Sequence, residues 1–286
     1  MDAILIDGCA MLHSAIHWPK GGKIEDFLEG IQFYVSSCLE NADVYLIFDR
    51  YKDFSIKSDT RQERLDQFRR HHILNKTSPL PSKDIALRVT ETKTQLIEMI
   101  KTHLLQNLPY STKKFVFTSK KDIPSQLHCG KLSDRQDLTT KQEEADVIIP
   151  HHVLDAIKEG KKSIKESCED TDVFVLLCHS YEAMKWKVDV YMDGFQSGKT
   201  IISIKDSVEK HKDTIGQMLS LHALTGCDSV PMMFGVGKKK ALSVIKRIPI
   251  LTLGDEIAGE DDCVNECKKF VAACYNGKST NSSDNR

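Results

Sequence analysis

Several absences narrow the reading of this chain before any motif is considered. No CxxC pair occurs, and nine cysteines in 286 residues are too sparse for a disulfide framework. Reduced thiols and an intracellular protein are therefore expected. No apolar run approaches the length of a membrane span, and the start, MDAILIDG, has no basic segment ahead of its short apolar run. Neither a transmembrane helix nor a secretory leader is expected. There is no excess of charge: 40 Lys and Arg stand against 41 Asp and Glu, a formal net charge of -1. A nucleic-acid surface would have to arise from segregation of charges. Internal repeats are lacking too. Cys263, Cys267 and Cys274 fall at near-helical spacing and read as one buried helix face, because a zinc site would want His or Cys pairs at ligand spacing. The length suffices for one large α/β domain or two small ones with a well-buried core.

Charge segregation is present. Residues 50–76 are basic-rich, with Arg61, Arg64, Arg69, Arg70, His71 and His72, and so are residues 238–247. Between them, residues 141–180 hold two tight acidic groups, Glu143-Glu144-Ala145-Asp146 and Glu169-Asp170-Thr171-Asp172, the second abutting the apolar run Val173 to Cys178. Ionised carboxylates beside apolar surface are costly unless neutralised. Hard divalent cations with oxygen ligands neutralise them most directly. The plainer reading makes EEAD the first turn of a helix, where acids favour the positive end of the dipole, and EDTD a solvated turn.

Ala3 to Ile6 is a continuous apolar run that stops at Asp7-Gly8, and Val44 to Phe48 is a second that stops at Asp49. Between them, Phe27, Ile31, Tyr34, Val35 and Cys38 recur at helical spacing, which predicts an amphipathic helix over 24–39. Continuous apolar strands suit a parallel sheet covered on both faces, and such sheets bind ligands outside the carboxyl ends of their strands. Asp7 and Asp49 are thus expected on one rim. Farther on, the pattern predicts a basic helix over 60–74, a helix over 85–105, a strand at 114–118, and a loop over 120–140 with an edge strand near Leu127. A helix over 143–159 should bend or truly start at Pro150. If Asp170 and Asp172 share the rim, a strand must precede them. That makes 164–168 strand and 173–179 a short buried helix, although Val and Phe favour strands. Strands at 188–192 and 200–204, helices at 207–211, 213–224 and 241–247, a C-cap at Gly226 and a disordered tail from 276 complete the pattern.

The pieces LIDG, FDRY, EEAD, EDTD, TGCD and FGVGKKKA, in this order over about residues 1–250, resemble the flap endonuclease and XPG group of structure-specific 5′ nucleases, and within it the asteroid-type members. The most specific signal is TGCDSVPMMFGVGKKKA, whose spacing is similar to that group's helix-two-turn-helix. The resemblance implies an α/β, PIN-like fold with a mainly parallel sheet flanked by helices. Its nuclease domain would occupy 1–250, with a rim insertion at 51–108 and a helix-two-turn-helix-like DNA-binding element at 213–247. A helical segment at 251–275 and a disordered tail at 276–286 would follow.

The resemblance further implies that Asp7, Asp49, Glu144, Asp146, Asp170, Asp172 and Asp228 hold two Mg2+, with Mn2+ as a substitute; Glu143 stays open as an alternative to Glu144. Two such ions about 4 Å apart serve an in-line phosphodiester displacement. Gly235 and Gly237, with Lys238, Lys239 and Lys240, would grip the backbone of duplex DNA, with K+ at the turn. The group's arch supplies a lysine and an arginine to the scissile phosphate; no counterpart stands out between Tyr51 and Leu108, where Lys57, Arg61 and Arg64 are candidates. No sliding-clamp peptide is seen, and a monomer acting on DNA in the nucleus is expected, with RNA as an open substrate. Two other classes remain. One is a non-catalytic nucleic-acid-binding or interaction protein on the same scaffold. The other is a single-strand ribonuclease of the wider PIN class, against which the GVGKKK turn argues.

Overall fold

A computed structural model describes residues 1–50, 73–120, 123–195, 200–227, 230–255 and 257–275. The expectations for the basic helix 60–74 up to residue 72, for Lys57, Arg61, Arg64 and Asp228, and for the tail 276–286 lie outside the described residues, while residues 73 and 74 are not helical. Two compact units are formed, one from Met1–Glu169 with Lys187–Ile202, the other from Asp170–Trp186 with Ser203–Arg286. No described helix is long and apolar enough to cross a membrane.

The first unit is built on a sheet of order β5-β4-β3-β2-β1-β6-β7-β8. At its centre β1 (Ala3–Asp7) runs parallel to β2 (Asp43–Ile47) and to β6 (Ser163–Ser167). Parallel pairing continues outward to β3 (Phe115–Thr118) and β7 (Asp189–Asp193). β4 (Ser125–His128) and β5 (Lys131–Asp134) add an antiparallel hairpin at one edge, and β8 (Ile202–Ser203) is a two-residue strand at the other. Every residue of β2 and β3 is buried, which is why these segments read as unbroken apolar runs.

Helices cover both faces. Val44, Leu46, Phe48, Phe115 and Phe117 pack against α2 (Ile24–Leu39) and α4 (Thr90–Asn107). Tyr45 points the other way, to Asp155 and His152 of α5 (Ala145–Lys158). Each large apolar side chain fully withdrawn from water contributes roughly 1.5–3 kcal/mol. The α/β architecture expected from the sequence, a mainly parallel sheet flanked by helices, is the one observed.

Local departures have local causes. The helix expected over 85–105 is two, α3 (Lys83–Arg88) and α4, because buried Val89 between them is extended (φ -81°, ψ 113°). Leu96, Ile97, Ile100 and Leu104 of α4, within the expected rim insertion, lie in the main core. Pro150 sits inside α5 and does not mark its start. The loop expected over 120–140 contains the whole β4–β5 hairpin. Its two-residue turn, Cys129-Gly130, has positive φ at both positions (50° and 72°), the primed geometry that Asn-Gly usually announces.

The second unit begins with α6 (Thr171–Ala183), so helix prevails over the β-propensity of Val173 to Val175, as the position of the acids required. α7 (Ile204–Lys210) opens where a strand was expected to end, because the Ser203 hydroxyl accepts the Asp206 N–H. The helix expected over 213–224 is a single 3-10 turn, Ile215–Gln217, followed by α8 (Met218–Thr225). α9 (Lys238–Ile245) starts three residues before the expected Ala241. α10 (Glu260–Cys274) buries Phe270 and Cys274 but leaves Cys263 and Cys267 partly exposed, so the three cysteines do not form one buried face. Leu221, Val236, Ala241, Val244, Ile245, Ile250 and Phe270 form this unit's core.

Candidate metal centre

The register Asp7↔Ile47 brings Asp7 and Asp49 to the carboxyl end of adjacent parallel strands. Asp7 also caps α1 (Gly8–Ser14): its Oδ1 accepts the N–H of Cys9 at 2.8 Å and of Ala10 at 3.0 Å, and the Cys168 thiol reaches Oδ2 at 3.6 Å. Gly8 is required there, since a Cβ would run into the Phe48 ring. Asp49 accepts the Cys9 thiol on Oδ2 at 3.6 Å and the Ala145 N–H on Oδ1 at 3.0 Å. One chain of hydrogen bonds therefore links Asp7, Cys9, Asp49 and the N-terminus of α5, with Glu144 as its cap residue and Asp146 in its first turn. Glu143, Glu144 and Asp146 are all partly exposed. The oxygens of these acids do not form a trio within 4.8 Å of one another.

Burial is the main force on this rim. It pushes the Asp7 carboxyl above its usual range, the Asp49 charge adds to the shift, and the two helix amides oppose it. Burial, then Asp49, raises the Cys9 thiol to about 12, so at neutral pH it is an S–H donor.

Three residues that sequence reasoning passed over shape the site. Arg50, counted in the basic stretch, is only 1% exposed. Its Nη1 binds the Thr140 carbonyl and, at 3.5 Å, that of Gln142, while its N–H donates to the Glu143 carbonyl at 2.7 Å. It thereby holds the segment that presents EEAD. Glu166, paired with Leu5 in mid-sheet, is fully buried, with no hydrogen bond of good geometry to either carboxyl oxygen. Burial and then the Asp7 charge push it well above the usual carboxylate range, which favours its protonated form. Lys93 of α4, 9% exposed, has its ammonium within hydrogen-bonding reach of the Cys9 thiol. Only the periodicity of α4, which sets Lys93 on the face of Leu96, Ile97 and Ile100, hinted at it.

In the second unit Asp170 caps α6, accepting the Asp172 N–H on Oδ1 at 2.8 Å. Asp172 Oδ1 lies 2.9 Å from His222 Nε2. The Lys238 ammonium donates to His222 Nδ1 at 2.7 Å and to the Gly226 carbonyl at 3.0 Å. Gly226 ends α8 at φ 101°, Gly235 has φ 67°, and Gly237 is the N-cap of α9, in whose first turn the three lysines lie.

No protein-family model matches the chain, and no curated protein matches it either. Solved structures do. A bacteriophage T5 D15 flap endonuclease variant, in a pseudo-enzyme-product complex with DNA and metal ions, is similar over 93% of this chain and 83% of its own, at 15% identity and TM-score 0.49. Human GEN1 in complex with Holliday junction DNA is similar over 96% of this chain but 57% of its own, at 13% identity and TM-score 0.49. Flap endonuclease-1 from Methanococcus jannaschii is similar over 94% of this chain and 78% of its own, at 14% identity and TM-score 0.45.

Proposed function

We propose that this chain is a metal-dependent nuclease that hydrolyses phosphodiester bonds in duplex-containing DNA. The observation that carries the reading is the linked carboxylate pair, Asp7 and Asp49, at the ends of adjacent parallel strands and tied to the helix start bearing Glu144 and Asp146. The donor set suits a hard divalent ion. It is all oxygen, the Cys9 thiol beside it is protonated, and the upward push on Asp7 is what a bound cation would relieve. Asp7, Asp49, Glu144 and Asp146 would hold Mg2+ or Mn2+, which supplies an activated water and a stabilised leaving oxygen.

The remaining work falls to the chain. Arg50 fixes the loop that carries the acids. Lys93 offers a positive charge for a phosphate, the part that the resemblance assigns to the arch. Motif order assigns Asp170, Asp172 and Asp228 as further ligands, and the turn from Gly235 to Lys240 as a duplex grip with K+. The asteroid-type affinity, two ions, a monomer and a nuclear site of action extend from the same resemblance.

Incubation of the protein with labelled flap, bubble, duplex and single-stranded substrates, with Mg2+ or with chelator, tests the reading. Cleavage of duplex-containing substrates should need Mg2+ and vanish in Asp49→Asn. Equal cleavage by that variant would remove Asp49 from the site. One observation favours the non-catalytic alternative: each of the four oxygens of Asp7 and Asp49 already accepts a bond from the protein. Thiol bonds at 3.6 Å are weak and easily displaced, but DNA binding without cleavage on any substrate would decide for that alternative.

A further inference from the structure

The end of α8 gathers three side chains of different chemistry. His222 lies in the last turn of the helix, the chain reverses at Gly226, and Cys227 follows. Cys227 is held by a two-way backbone bridge to Val230, with N–H to carbonyl distances of 3.0 and 3.2 Å. Asp172, in the first turn of α6, faces His222 at 2.9 Å. One donor atom each from Asp172, His222 and Cys227 all lie within 4.8 Å of one another, and all three residues are partly buried. Among the described residues this is the one trio of His, Cys, Asp or Glu that meets that distance.

We propose that Asp172, His222 and Cys227 form a binding site for Zn2+. A carboxylate oxygen, an imidazole nitrogen and a thiolate sulfur are the donors zinc takes, whereas Mg2+ takes oxygens and water. Three protein ligands leave the fourth tetrahedral position for water. Zinc bonds of about 2.0 Å to O and N and 2.3 Å to S imply ligand separations of about 3.3–3.5 Å. The Asp172–His222 pair therefore opens by only about half an ångström.

The protons balance. Lys238 donates to His222 Nδ1, so in the metal-free site Nε2 carries the ring hydrogen and donates it to Asp172. When Nε2 takes the ion, that hydrogen moves to Nδ1, and Lys238 keeps its bond to the Gly226 carbonyl. The Cys227 thiol releases one proton per ion bound. The carboxylate and thiolate together carry two negative charges, which match the ion, and the nearby Lys238 charge is the opposing cost. The site rests on the geometry of this trio, and it gives the Asp172 carboxylate a different ion from the one that motif order assigns to it under the nuclease reading.

Co2+ titration of the chelator-treated full chain tests the proposal, because a cobalt-bound thiolate gives a charge-transfer absorption band. One equivalent should produce the band, Zn2+ should abolish it, and a large excess of Mg2+ should leave it. Cys227→Ser should lose the band, His222→Gln should weaken Co2+ binding at least about tenfold, and Cys263→Ser should behave as the parent. Circular dichroism establishes that each variant is folded; if Cys227→Ser is not, Cys227→Ala and His222→Gln decide by the same readout. No band in the parent, or a band that survives loss of the Cys227 sulfur, overturns the site.

Discussion

Arg50 illustrates how a residue can change meaning between sequence and structure. In a basic stretch it reads as surface charge, yet its guanidinium is buried and its partners are carbonyls of the loop leading to EEAD. Arg50→Ala removes the charge-assisted hydrogen bond that ties the buried guanidinium to this loop, which costs roughly 1.5–3 kcal/mol. The loss should show as a lower urea midpoint with an unchanged slope, and metal-dependent cleavage should fall with it. His152 acts on pH dependence. Its Nε2 lies 2.8 Å from Thr118 Oγ1, and burial, aided by the charges of His151 and Arg135, pushes its pKa down to about 3. In the unfolded chain it titrates at about 6.5. Between these values the unfolded state holds the extra proton, so stability falls as pH falls from 6.5 and is unaffected above it. The slope should approach about 1.4 kcal/mol per pH unit within that window. Urea unfolding at pH 7.5, 6 and 5 checks this, and His152→Gln should flatten the lower part of the curve.

Among the elements, the β4–β5 hairpin was the least legible, because Cys129 occupies a left-handed position that asparagine normally fills. Cys129→Asn should therefore raise stability by about 0.5 kcal/mol, and Gly130→Val should lower it by more than about 1 kcal/mol. Thermal melts of the two variants should move in opposite directions. By contrast, α2 was read to its ends, since Ile24, Phe27, Leu28, Ile31, Val35 and Leu39 repeat at its period. β6 and α6 were readable only through the acids between them, as propensity alone would have made a strand of Val173 to Val175.

For the whole molecule, a net charge of -1 means that any duplex affinity must come from local positive charge. Lys238 spends its ammonium on His222 and Gly226, leaving Lys239 and Lys240 as the larger contributors. Lys239→Ala with Lys240→Ala should flatten the log affinity against log salt by up to about two steps of 0.9, and Lys238→Ala by less than one. Fluorescence anisotropy on a labelled duplex at several salt concentrations measures both. An unchanged slope in the double variant would remove α9 from the DNA surface.

Pattern alone was enough to read β1 and β2 and the rim where Asp7 and Asp49 end them, because Ala3 to Ile6 and Val44 to Phe48 are unbroken apolar runs, as strands buried on both faces favour, and each stops at an aspartate. It also determined α2, through periodicity. The tertiary structure decided which polar groups became interior. Buried Glu166, inward-facing Arg50, Lys93 beside Cys9, and the approach of Asp172, His222 and Cys227 all depend on contacts between segments far apart in the chain. Local pattern records the period of a segment. It carries no record of which distant segment will desolvate a charge or supply its partner.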